Sequence, residues 1–100
     1  METVNRLKTT PVSRIRELKD DEFIQVGDFL EFLTVEDYEE IGEEVTDLIE
    51  KFSGEMVEVL KVGKEINEWG EKEFLVVNAD GDIVSATSHE FSKAYREKKM

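Results

Sequence analysis

TVEDYEEIGEEVTDLIEKFSG, residues 34–54, holds two opposed patterns at one period. On a wheel of 100° per residue, Val35, Tyr38, Ile41, Val45, Leu48, Ile49 and Phe52 fall within an arc of about 140°. Glu36, Asp37, Glu39, Glu40, Glu43, Glu44, Asp47 and Glu50 fill the opposite arc, joined only by Lys51. Thr34 and Asp37 stand at capping-box spacing, and Ser53-Gly54 supplies a stop. The pattern predicts one long amphipathic helix over about 35–52, with its apolar face on a core and its carboxylates in solvent.

Upstream, Thr10-Pro11 places an N-cap residue before a proline suited to a first helical turn, and Ile15 and Leu18 follow at a spacing of three. A short helix over about 11–19 is expected. Phe23 to Phe32 is rich in aromatic and branched residues and reads as a strand, either kinked at Gly27 or folded there as a tight hairpin. Downstream, Glu55–Val62 reads as a strand, followed by a polar loop through Gly63 and Trp69-Gly70. Phe74–Asn78 and Asp82–Ala86 flank Asp80-Gly81, a dipeptide that favours a hairpin turn. Thr87 and Glu90 repeat the capping-box spacing, and Phe91, Ala94 and Tyr95 form an apolar stripe that predicts a last helix.

One hundred residues suit one domain, 1–100. The element order gives an α+β domain, a small curled antiparallel sheet with the long helix on one face and short helices at the ends. The entry Val26-Gly27-Asp28 into an aromatic strand resembles SH3-type small barrels, and that resemblance implies a closed, helix-decorated barrel.

Composition narrows the chemistry. The formal net charge is −12, with 25 acids against 13 Lys and Arg. The charge is segregated: residues 1–19 carry +3, 20–58 carry −14, 59–90 carry −4 and 91–100 carry +3. Without cysteine there are no disulfides, thiolate nucleophiles or cysteine-type zinc sites. His89, the single histidine, excludes a His-rich metal site and reads as a capping-region residue. No phosphate-cradling glycine loop or nucleophile elbow is present. Around Gly81 the EF-hand register would need carboxylates at Val76 and Thr87, so Asn78–Asp82 reads as a turn. No metal or cofactor is expected. Without an apolar run of about eighteen residues or a signal peptide, no membrane segment is expected and the cytoplasm is the expected location.

Three functions fit these patterns. The acids of the helix either form a solvated face or an interaction surface, and like charges three and four residues apart favour a use for them. The first reading makes Glu36, Asp37, Glu40, Glu43, Glu44, Asp47 and Glu50 a docking face for a basic host protein, with Tyr38 or Trp69 adding apolar contact at the rim. Glu36, Glu40, Glu43, Asp47 and Glu50 would recur at about 5 to 6 Å along one helix, and two roughly parallel acid rows, including Glu44 and Asp37, would approximate the charge density of DNA, which has a phosphate about every 3.4 Å on each strand. In size, lack of cysteine and charge the chain resembles the small acidic host-takeover and DNA-mimic inhibitors of bacteriophages. That resemblance implies a non-enzymatic inhibitor of a nucleic-acid-handling protein, working in the host cytoplasm as monomer or homodimer. The second reading is a small-barrel nucleic-acid-binding module using Arg6, Lys8, Arg14, Arg16, Lys98 and Lys99, although a charge of −12 opposes it. The same basic ends would alternatively neutralise the central acids. The third is a carboxylate-based enzyme built on Asp28 or Glu58, the acids set within apolar strands.

Overall fold

A computed structural model describes residues 6–65, 68 and 71–98. Its elements are α1 (Arg6–Thr9), β1 (Ile15–Glu17), β2 (Phe29–Phe32), α2 (Val35–Ile41), α3 (Asp47–Phe52), β3 (Met56–Glu65), β4 (Lys72–Val77), β5 (Ile83–Thr87) and β6 (Phe91–Glu97). Single 3₁₀ turns precede β1 at Val12–Arg14 and β6 at Ser88–Glu90. All strands pair antiparallel in one sheet of order β1-β6-β2-β3-β4-β5. Among the described residues β1 and β5 are its two edges, so the sheet is open and the expected closed barrel is not formed.

The meander β3-β4-β5 follows the sequence reading. Its second turn is built by Asn78, whose side-chain oxygen accepts from the Asp80 and Asp82 amides while Gly81 adopts φ +88°. Strand β3 runs further than expected, to Glu65. It does so past Gly63, where a Cβ would lie 2.7 Å from the Glu73 carbonyl oxygen; the missing side chain lets the two backbones close.

The long helix over 35–52 is replaced by two short ones. Thr34 and Asp37 form the expected capping box, but α2 ends at Gly42, which takes a left-handed φ of +76°. Thr46 then caps α3 afresh, its hydroxyl accepting from the Ile49 amide at 3.2 Å. A mid-helix glycine is already costly, and a second cap four residues on makes the break cheaper than continuation. No atom lies within 4 Å of a Cβ at position 42, so Gly42→Ala should cost about 1 kcal/mol through backbone strain alone. A D-alanine there should be at least neutral, which urea unfolding of the two proteins would read.

Both terminal helices are also replaced. Ile15–Glu17 is an edge strand on β6, clamped further by Leu18 and Lys98 amides donating to Ala94 and Arg14 carbonyls. The segment after the Thr87/Glu90 capping box makes one 3₁₀ turn and then enters β6, between β1 and β2. Phe32 pairs with Phe91 and Glu31 with Lys93, so β6 carries an extra residue there. That bulge returns Phe91 and Ala94 to one face three residues apart, which imitates helical spacing. The Phe23–Phe32 segment is a strand only from Phe29. Before it the chain bends at Gly27, φ +93°, and the Asp28 carboxylate accepts from the Gln25 amide.

Leu30, Phe32, Val57, Val59, Phe74 and Val76 share one face of the sheet and form its core. Ile49 and Phe52 of α3 and Tyr38 of α2 close that face. Phe52 stacks on Phe32 with ring centroids 5.5 Å apart. This apolar lid fixes α2 and α3 on the sheet, and so directs their polar sides outward.

Candidate acidic docking face

The seven carboxylates of the expected face divide between two helices and the link joining them. Glu36, Asp37 and Glu40 belong to α2, Glu43 and Glu44 to the link after Gly42, and Asp47 and Glu50 to α3. Glu36, Glu40, Glu43, Glu44, Asp47 and Glu50 are exposed. None of these six side chains is in an ion pair or hydrogen bond among the described residues.

Asp37 is different. Its carboxylate accepts from the Thr34 amide at 3.0 Å, and this bond holds its pKa below the usual aspartate value. It is a helix cap, and it leaves the set of free acids. The two parallel acid rows likened to the charge density of DNA also fail, because they required one straight helix and the chain bends at Gly42. A bent segment of exposed carboxylates remains. Tyr38, expected at the rim, is buried at 8% exposure, whereas Ile41 is 65% exposed. Trp69 lies outside the described residues.

Three of the four arginines in the basic ends, Arg6, Arg16 and Arg96, are engaged within the chain. Arg96 on β6 holds Asp28 through two bonds, Nε to Oδ1 at 2.8 Å and Nη2 to Oδ2 at 2.9 Å. Arg16 clasps Glu22 at 2.6 and 2.7 Å, and Arg96 reaches Glu22 at 3.2 Å. Arg6 bridges Glu58 at 2.9 Å and Glu97 at 2.6 Å while its guanidinium covers the Phe29 ring. Lys98 donates to the Ser13 carbonyl. Of the residues assigned to a nucleic-acid-binding surface, Lys8 and Arg14 are exposed and Lys99 is outside the described residues. Arg6, Arg16 and Arg96 thus neutralise acids within the chain, which the charge segregation offered as the alternative to a binding role.

Glu22 shows the electrostatic consequence. The Arg16 hydrogen bond, aided by the Lys19 amide, lowers its pKa from 4.5 to about 2. A carboxyl depressed on folding adds stability that is complete above its unfolded pKa and is lost as pH falls toward its folded one. The stability lost on Arg16→Gln should therefore be full near pH 6 and shrink between about pH 4.5 and 2, as urea unfolding across that range would measure.

Asp28 and Glu58, the carboxylates considered for catalysis, are 3% and 8% exposed. Both are held by guanidinium groups, Asp28 by Arg96 and Glu58 by Arg6, which makes them structural ties. Neither lines the clefts formed by Leu7, Phe29 and Met56, by Lys61, Glu73 and Leu75, or by Tyr38, Ile41 and Phe91.

The last of these clefts, about 480 Å³, adjoins the acidic segment. Its wall is made by Tyr38 and Ile41 of α2, Glu43 of the link, Ser88 and His89 of the 3₁₀ turn, and Phe91 of β6. His89 approaches Glu71, Nδ1 to Oε1, at 3.4 Å. Sequence reasoning missed this cleft, because it depends on Phe91 entering a strand beside α2. The Arg96–Asp28 pair was equally remote, its partners standing 68 residues apart.

Comparisons with protein-family profiles, with curated proteins and with solved structures gave no match for this chain. No helix among the described residues is long and apolar enough to cross a membrane.

Proposed function

We propose that this protein is a non-enzymatic binding protein that inhibits or modulates a basic, nucleic-acid-handling protein through the exposed acids of α2, the following link and α3. One contrast carries the reading. The buried acids Asp28 and Glu58 and the half-buried Glu22 each receive an arginine, while Glu36, Glu40, Glu43, Glu44, Asp47 and Glu50 receive none among the described residues. Self-repulsion among close carboxylates destabilises isolated helices, and a basic partner would relieve it.

Electrostatic steering gives such a complex fast and salt-sensitive association. The mode of action is that of the small acidic bacteriophage inhibitors, in which protein carboxylates occupy a site meant for phosphates. Here they do so as a local docking face, since the two ends of the chain are basic.

The test is capture from bacterial lysate on the immobilised chain at two salt concentrations, followed by competition with double-stranded DNA. Retention of a basic protein at low salt only, with displacement by DNA, is the expected result. Retention that neither salt nor DNA disturbs would contradict the reading.

A further inference from the structure

We propose that the cleft between α2 and the Ser88–Glu90 turn receives a lysine or arginine side chain presented by the basic partner. This rests on the acidic-face reading and specifies the point at which the partner is held.

The first observation is a phenol without a protein partner. Tyr38 is more than nine-tenths buried, yet its hydroxyl has no hydrogen-bond partner among the described residues. It is not sealed from solvent, and Tyr38 lines the cleft of about 480 Å³. With its ring buried and its hydroxyl reached by solvent, Tyr38 offers the cleft a phenol oxygen that no protein group occupies, and a ligand donor could replace water there.

The second observation is the sign of the surroundings. Burial, and then the negative charges of Glu90, Glu43 and Glu71, raise the phenol pKa, so the hydroxyl stays neutral. Those three acids come from the turn before β6, the link after α2 and the segment before β4. Glu43 lines the cleft itself, while behind it Glu90 accepts from the Thr87 amide and Glu71 lies 3.4 Å from His89. An anion would be repelled there, whereas an ammonium or guanidinium would be attracted and could donate to the phenol oxygen.

The third observation is the apolar wall. Ile41 and Phe91 flank the same cleft, and they suit the methylene stem of a long basic side chain. The Phe91 face adds a site for cation–π contact. An apolar wall beside the Glu43 carboxylate matches a stem that ends in a cation better than it matches a bare metal ion.

The experiment is a titration of the full chain with blocked hexa-arginine and hexa-lysine peptides at low salt, followed by calorimetry and by side-chain resonances of Ile41 and Phe91. Binding that shifts both resonances, and that Tyr38→Phe weakens about tenfold, is expected, because a hydrogen bond to a charged group is lost. Tyr38→Phe removes only an unpartnered hydroxyl, and circular dichroism will verify its fold. The double variant E40K/E44K alters the acidic segment away from the cleft wall. Binding weakened by E40K/E44K but untouched by Tyr38→Phe overturns the cleft and leaves the acidic face standing. Binding weakened by Tyr38→Phe alone supports the cleft and counts against the wider face. Unmoved Ile41 and Phe91 resonances overturn the cleft, as does spermidine binding as tightly as the peptides, which would make a free polyamine the occupant.

Discussion

Phe52→Ala is expected to destabilise the protein by about 3–5 kcal/mol, the range for deleting a buried aromatic side chain. Phe52 is 1% exposed, belongs to the core and stacks on Phe32. Truncation removes both the transfer free energy of the ring and its contact with Phe32, and it leaves a cavity that the β-sheet cannot collapse to fill. With a urea dependence of about 1 kcal/mol per molar, the unfolding midpoint should fall by roughly 3 M or more. Val12→Ala, at a position 82% exposed, should change stability by less than about 0.5 kcal/mol. The comparison also bears on function, because Ile49 and Phe52 are the residues that fix α3 to the sheet and turn Asp47 and Glu50 outward. A loosened α3 should weaken partner binding even where the rest of the sheet survives.

Reversal of Glu40, Glu43 and Glu44 to lysine should slow association with the basic partner by about ten- to a thousandfold, the range over which charge steering acts. Each reversal removes two units from a formal charge of −12. The three side chains are exposed and have no side-chain partner among the described residues, so the fold should persist. They were chosen over Glu36 and Asp47, which stand in the first turns of α2 and α3, where a lysine would oppose the helix dipole. Stopped-flow association at several salt concentrations checks this directly. The unaltered chain should lose rate steeply with salt, and the triple variant should begin slow and respond little. An unchanged rate for the triple variant would remove these acids from the interface.

What the sequence disclosed follows the range of the interactions involved. The meander from Met56 to Thr87 was legible because its signals are local, namely alternating apolar residues and the Asn78–Asp82 turn. The acids of 36–50 were legible as exposed charge for the same reason. The break at Gly42 was also written locally, in a glycine followed by the Thr46 cap, but the continuous apolar arc outweighed it on the wheel. Strand β6 was misread because its bulge gives Phe91 and Ala94 a helical spacing, and because β1 and β2, which hold it, are far away in the chain. The same distance hid the Arg96–Asp28 tie and the cleft at Tyr38. Charge segregation was the one sequence signal of the first, since an acidic middle between basic ends invites closure by ion pairs.

The proposed function requires that the acids of α2, the link and α3 meet a basic partner. Backbone amide chemical-shift mapping of the isotope-labelled chain, with and without the protein captured at low salt, tests it most directly. The largest changes should fall within residues 36–50 and at Ser88–Phe91 beside the Tyr38 cleft. Changes confined instead to the β5 edge, or to the basic ends around Lys8 and Arg14, would contradict it.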